Sequence, residues 1–278
     1  MASCGFSARS SVGGMLINTE NRRKNMKVAI ITGASSGLGY EYVKAVIARY
    51  PDLDEYWLIA RRADRLQAIA EEYKDKKIVA VCLDLVKDGS FAEYESLLKE
   101  KNPDIRLLIN NAGIGKLGRL ADMPYGDQLR MVDLNNRALT GITNISLPYM
   151  QKGSYVLNVC SIASFAPNPR MTVYCSTKAY VMSFSRSLRF ELKERGINVI
   201  AVCPGPMNTE FLSNAGIEKG SSKTFDTLPY SDPVKVARIS LIKADAGKAI
   251  YTPGAFYKFY RGVAKLLPHE LVMHMSQT

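Results

Sequence analysis

Residues 26–32 (MKVAIIT) form a short apolar run that passes without a spacer into Gly33-Ala34-Ser35-Ser36-Gly37-Leu38-Gly39, and a helix-like stretch, Leu38–Arg49, opens inside those glycines. A strand that turns so tightly into a helix needs backbone conformations and close approaches that side chains forbid, which glycines at 33, 37 and 39 permit. Few architectures begin in this way. The commonest is a parallel sheet whose first crossover helix packs hard against its own strand.

The rest of the chain repeats the alternation. Strand-like runs at Glu55–Ala60, Ile78–Leu83, Ile105–Ile109, Tyr155–Val159 and Asn198–Cys203 are separated by helical stretches at Ala63–Tyr73, Phe91–Lys99, about 125–150 and Thr177–Arg195, and Lys248–Thr252 reads as a late strand. The strands are apolar at nearly every position, so both of their faces must be covered. The expected fold is α/β, a doubly wound parallel sheet with helices on both faces, and residues 26–278 show no seam that would divide them into two domains.

Composition excludes more than it selects. The net charge of +11 comes from 37 basic and 26 acidic residues. The basic residues are scattered, and no stacking aromatics interleave them as a nucleic-acid surface would require, so no nucleic-acid partner is expected. Anionic small ligands fit the charge as well. The five cysteines, Cys4, Cys82, Cys160, Cys175 and Cys203, have no metal-like spacing. Three lie in apolar strand-like runs, where a reduced thiol is a common filler, so no disulfide frame is expected and a reducing, cytoplasmic location is. With two histidines and no clustered ligands, no bound metal is expected. No apolar run reaches the ~18 residues that span a bilayer. Residues 1–25 are rich in Ser, Gly and Asn and lack the apolar core of a secretory signal. They are read as a disordered leader or as sequence upstream of a start at Met26; a transit peptide is the weaker alternative.

The glycine turn has a chemical use. A helix N-terminus offers unpaired N–H groups and a positive dipole end to an anion. A turn of this kind directly after a strand, with Ser35, Ser36 and Leu38 between its glycines, suits the pyrophosphate of a dinucleotide. The end of the second strand then discriminates. An acidic residue there would take the ribose hydroxyls of NAD. Here the strand ends in Ala60-Arg61-Arg62. A guanidinium gives a planar fork to the additional 2′-phosphate of NADP. NADP is therefore expected over NAD, with Arg61 as the primary contact and Arg62 beside it.

Tyr174 and Lys178 stand four residues apart, one helical turn along a common face. A free phenol titrates near ~10, and a nearby ammonium favours its ionised form, which brings it toward a working range for proton transfer. Such a pair is uninformative alone. Ser161 lies just past the strand that ends Asn158-Val159-Cys160, at the carboxyl edge where parallel sheets bind ligands. Its hydroxyl would donate to a substrate oxygen and hold it against Tyr174. Ser164 is the second choice.

TGASSGLG at 32–39, NNAG at 110–113, Ser161, YCSTK at 174–178 and PGPMNT at 204–209 occur in the order found in the short-chain dehydrogenase/reductase family. The chain resembles that family in its roughly 250-residue branch, from about Lys27 to Gly254. The resemblance implies a Rossmann-type sheet and hydride exchange between NADP(H) and a ketone/secondary alcohol pair. It implies Tyr174 as general acid or base, Lys178 as the group that tunes it and binds the nicotinamide ribose, Ser161 as the group that orients the carbonyl, and Asn135 as holder of a relay water, with Asn136 adjacent. Asp84 and Leu85 would flank the adenine, and Asn111, Ala112 and Gly113 the adenosine ribose. Pro204, Gly205 and Thr209 would sit by the nicotinamide. Relatives of this kind pair through the long helices after the fourth and fifth strands, which implies a homodimer or homotetramer.

Substrate choice is expected from residues 210–231, which mix Phe, Leu and Tyr with Gly and Ser and suit a lid over an apolar pocket. The tail, 256–278, mixes aromatic and aliphatic residues with Lys and Arg. It is expected to form an amphipathic helix that packs on a partner subunit, closes the pocket or touches a membrane surface. Both features point to a lipophilic ketone, steroid-like or acyl. The competing reading is a regulatory protein that senses NADP(H) without turnover.

Overall fold

A computed structural model describes residues 26–275 except 219. The leader expected over 1–25 and the last three residues of the tail lie outside the described residues. The sheet has seven strands in the order β3-β2-β1-β4-β5-β6-β7, all parallel: β1 (Lys27–Thr32), β2 (Glu55–Ala60), β3 (Ile78–Cys82), β4 (Asp104–Asn110), β5 (Tyr155–Val159), β6 (Asn198–Val202) and β7 (Ile250–Tyr251). The chain winds outward from β1 through β2 to β3, then returns to lay β4 on the other side of β1. That reversal opens a crevice at the carboxyl ends of β1 and β4, where ligands of such sheets bind.

Alternation along β1 explains why the strands look uniformly apolar. Ala29 and Ile31 point into one layer, packed with Tyr42, Val43 and Val46 of α1 (Gly37–Arg49), Leu66 of α2 (Ala63–Glu72) and Leu241 of α9 (Pro233–Asp245). Val28 and Ile30 point into the other, with Tyr94 and Leu98 of α3 (Ser90–Lys101), Ile142 of α5 (Leu139–Ser146) and Leu188 of α6 (Thr172–Glu191). Successive side chains of a strand face opposite sides, so two apolar layers need an apolar residue at every position.

The helical stretch expected over about 125–150 is α4 (Tyr125–Val132), a wider π-helical turn over Asp133–Ala138, α5, and a closing 3₁₀ turn over Leu147–Tyr149. Three expectations need correction. Helix α6 runs Thr172–Glu191 rather than Thr177–Arg195, because its first turn holds residues of modest helix propensity that packing, not propensity, keeps helical. The tail is two helices, α10 (Ala255–Leu266) and α11 (His269–Met275), since Pro268 lacks the N–H a continuous helix needs. Cys82 is exposed, because β3 is the edge strand of the sheet, whereas Cys160 and Cys203 are buried as expected. Residues 210–231 contain two short helices, α7 (Glu210–Asn214) and α8 (Lys223–Thr227). Among the described residues no helix is long and apolar enough to cross a membrane.

Candidate active site

A cavity of about 740 Å³ runs along the carboxyl edge of the sheet, from the glycine turn to the tail. Its floor is built by chain geometry that only glycine tolerates. Gly33 and Gly37 have φ of 67° and 51°, in the left-handed region. A side chain at Gly33 would meet the Ala112 Cα at 2.9 Å. Asn111 braces the turn from β4: its amide donates to the carbonyls of Thr32 (3.1 Å) and Gly33 (3.2 Å), while the Thr32 hydroxyl accepts from the Asn111 and Ala112 N–H groups.

The N-cap Ser36 makes no side-chain cap to α1. The first-turn N–H groups of a 13-residue helix therefore face a cleft lined by Ser35, Ser36, Gly37, Leu38 and Gly39 with no side-chain acceptor of their own from that cap. That donor set fits an anionic pyrophosphate.

The two arginines after β2 divide the ground between them. Both line the cleft. Arg62 folds back over the turn, donating from Nη2 to Ser36 Oγ at 2.7 Å and from Nε and Nη2 to Ser35 Oγ at 3.3 and 3.2 Å. Its Nη1 bonds Glu210 at 2.9 Å. Arg61 is exposed at the cleft wall and engages neither serine. Leu85 is buried beneath the same wall, and Asp84 lines it while its carbonyl accepts from Ser90 Oγ at 2.6 Å.

Ser161, Tyr174 and Lys178 converge farther along. Ser161 follows β5 as the N-cap of a 3₁₀ turn, its Oγ accepting from the Ala163 N–H at 3.1 Å. Tyr174 and Lys178 project from the first two turns of α6 and are 8% and 5% exposed. The Ser161 hydroxyl lies near enough to the Tyr174 phenol to favour its ionised form. Ser164 is turned away from that role, since its hydroxyl donates to the Ser161 carbonyl at 2.7 Å. The Lys178 ammonium donates to the Val159 carbonyl at 2.9 Å and lies 5.8 Å from the Tyr174 ring centre.

The electrostatics differ from the simple ammonium–phenol picture. Burial is the largest influence on Tyr174 and pushes its pKa up; the neighbouring Ser161 hydroxyl opposes this. Burial likewise pushes the Lys178 ammonium down. Desolvation penalises both charged forms, and it is the largest influence on each.

Asn135 sits in the π-helical turn, buried, and is fixed by two bonds to one residue: its Oδ1 accepts from the Ile114 N–H and its Nδ2 donates to the Ile114 carbonyl, both at 2.9 Å. A third bond joins Nδ2 to Thr177 Oγ1 at 3.0 Å. A Cβ on Gly113 would lie 3.1 Å from Asn135 Oδ1 and 3.5 Å from Lys178 Nζ, so the asparagine and the lysine flank one small space. Asn136 instead donates to the Thr177 carbonyl and faces α6. Local geometry thus separates two residues that sequence alone left adjacent.

Pro204, Gly205 and Thr209 line the opposite wall. Several lining residues were not singled out from sequence. Phe211 of α7 packs on Tyr174 with ring centres 5.7 Å apart. Tyr257 of α10 lies over Gly205, where a Cβ would approach its ring within 2.3 Å, and donates to the Pro229 carbonyl at 2.7 Å. Met171, Leu212 and Phe225 join Tyr174 in one apolar cluster. For Phe211, Leu212, Phe225 and Tyr257 the only sequence signal was the apolar character of the lid and tail, which says nothing about which rings reach the site; Met171, at the start of α6, gave none.

The model of the short chain dehydrogenase family matches residues 27–220. Sulfoacetaldehyde reductase 2 of Chromohalobacter salexigens is 32% identical over 213 residues, covering 73% of this chain and 82% of that protein. Among solved structures, a short-chain dehydrogenase from Sphingobium yanoikuyae in complex with NADPH superposes with a TM-score of 0.72 at 29% identity, covering 87% of this chain and 96% of the other. The bulky-bulky ketone specific alcohol dehydrogenase from Comamonas testosteroni does so with a TM-score of 0.66 at 27% identity, over 88% and 96%. The match runs through most of the chain and the sheet superposes, and the chain belongs to the short-chain dehydrogenase family of oxidoreductases.

Proposed function

We infer that the protein interconverts a lipophilic ketone and its secondary alcohol with NADP(H), using Tyr174 as the acid/base. The observation that carries this reading is the burial of Ser161, Tyr174 and Lys178 together in the cavity that also contains the glycine turn. The bound nicotinamide supplies the hydride, and the chain supplies position and protons. Ser161 donates to the carbonyl oxygen and aligns it with the Tyr174 phenol. Tyr174 gives that oxygen its proton in reduction and recovers it in oxidation. Lys178 and Asn135, on either side of the space beside Gly113, hold the route by which the phenol is reprotonated. Pro204, Gly205 and Thr209 wall the nicotinamide end; Asp84, Leu85 and Asn111–Gly113 wall the adenosine end.

Lipophilic substrates are supported by Met171, Leu212, Ile217, Phe225, Phe256 and Val263 around the cavity, and by the bulky ketones named for the Comamonas enzyme. The tail acts as a wall of the pocket, since Phe256, Tyr257, Tyr260, Val263 and Val272 line it. Phe259 and Leu266, exposed beside Lys258 and Lys265, leave it able to touch a lipid surface as well. A homodimer or homotetramer through α4 and α6 is supported by the exposure of Tyr125, Leu129, Val132, Tyr180 and Phe190 on those helices. The test is loss of NADPH absorbance with a panel of steroid, acyl and aromatic ketones. Turnover of none of them, with NADPH bound, would favour the sensor reading.

NADP preference follows from Arg61 and Arg62. Arg61→Asp is expected to reverse it: the carboxylate repels a 2′-phosphate and accepts from ribose hydroxyls instead. The ratio of kcat/KM for NADPH over NADH should fall by roughly ten- to a hundredfold, the loss of a charge-assisted bond and the gain of a repulsion. An unchanged ratio would remove Arg61 from the phosphate.

A further inference from the structure

The arginines at the end of β2 are not waiting for a phosphate alone. Glu210, the first residue of α7, bonds Arg62 Nη1 through Oε2 at 2.9 Å and Arg65 Nη1 through Oε1 at 2.6 Å. The pair spans the cleft, joining the start of α2 to the start of the segment expected to form the substrate lid. Arg62 meanwhile keeps its Nε and Nη2 on Ser35 and Ser36 of the glycine turn. A carboxylate thus sits where a second anion would approach the same guanidinium, and all three charged groups are only partly buried.

We propose that Glu210 is a built-in competitor for the 2′-phosphate of NADP(H), and so sets how strongly the protein discriminates NADP(H) from NAD(H). The proposal rests on the NADP reading above and adds a residue of opposite charge to it. The physical argument is one of sign. A carboxylate and a phosphate both seek the Arg62 fork, and each weakens the other's hold by occupying donors and by like-charge repulsion. The two arginines hold the Glu210 carboxyl down at about 2, Arg65 contributing most, so the competitor stays charged across the working pH range. Phe211, the next residue, packs on Tyr174, so the same ion pairs tie the start of α7 to α2 beside the substrate space.

The test isolates the phosphate from the chemistry. Binding of 2′,5′-ADP and of 5′-AMP is measured by calorimetry on the full chain, wild type against Glu210→Gln, with Glu210→Ala as a second variant should the first unfold. Removal of a partly exposed competitor is expected to tighten 2′,5′-ADP by about three- to tenfold and to leave 5′-AMP unchanged. The gain should shrink as salt rises, since exposed charges are screened. Unchanged or weaker 2′,5′-ADP binding in both variants overturns the proposal, the weaker result meaning that Glu210 orients Arg62 instead of competing for it. The NADP reading fails separately, if wild type binds 2′,5′-ADP no better than 5′-AMP. Should the Gln variant then acquire the preference, the competitor is established and the native cofactor choice is the part revised.

Discussion

Replacement of Tyr174 by phenylalanine is expected to lower ketone reduction by about 10²–10⁴-fold, the range for loss of a general acid, while NADPH still binds. The variant keeps the ring, which is what packs with Met171, Leu212 and Phe225 and against Phe211. It removes one hydroxyl, which lies near Ser161, a change of about 1 kcal/mol in stability for a polar group of this kind. The two effects differ so much in size that structural damage cannot stand in for lost chemistry. Steady-state turnover and a fluorescence titration of NADPH read them independently. Retention of most of the wild-type rate would take the phenol out of the reaction.

The same residue predicts a pH profile. Burial raises the Tyr174 pKa above its ordinary value. The protonated phenol, which reduction requires, is present below that pKa, so kcat/KM for reduction should stay flat through neutrality and fall only in the alkaline range. Oxidation requires the phenolate and should accelerate as pH rises over the same range. The profile of kcat/KM reports the free protein, whereas that of kcat reports the complex. A reduction profile in kcat/KM that already declines near neutral pH would mean that Lys178, not desolvation, governs the phenol.

The sheet was legible because its physics is repetitive. Strands covered on both faces must be apolar throughout, and that pattern gave β2 its observed bounds, Glu55–Ala60. The start of α6 was not legible. Thr172, Val173, Tyr174 and Cys175 have no strong helical preference, and their helix is held by burial of Tyr174 and Cys175 against the lid. Likewise Ser161 could be preferred over Ser164 by spacing, but only coordinates reveal that Ser164 is spent on the Ser161 carbonyl. The reach of Glu210 to Arg62, 148 residues apart in sequence, leaves no local trace at all. Contacts between distant segments depend on how the layers stack, and no period in the chain encodes them. Motifs that work through their own backbone, such as the glycine turn, are read directly; sites assembled across the fold are read only in part.

Gly39→Ala provides the sharpest test of that backbone argument. A Cβ at Gly39 would lie 2.0 Å from the Gly33 carbonyl oxygen, 2.8 Å from its carbon and 2.6 Å from the Asn111 amide nitrogen. Two of those atoms are backbone, in a turn already committed to positive φ at Gly33, so no rotamer change relieves the clash. The first turn of α1 must withdraw from β1 or the turn must open, and either movement also breaks the Asn111 bonds to Thr32 and Gly33. Overpacking in a rigid site costs about 1–3 kcal/mol, and the broken hydrogen bonds add about 1 kcal/mol each, so a loss of roughly 3–5 kcal/mol is expected in denaturant unfolding. Cofactor affinity should collapse even where the variant remains folded, because the displaced amides are the ones proposed to hold the pyrophosphate. Gly126→Ala is the control: nothing lies within 4 Å of its Cβ, in helix α4, and the substitution should be neutral or stabilise by up to about 1 kcal/mol. If Gly39→Ala unfolds like the control and binds NADPH normally, the helix does not approach the turn as closely as 2.0 Å demands, and the cradle assigned to the dinucleotide is not there.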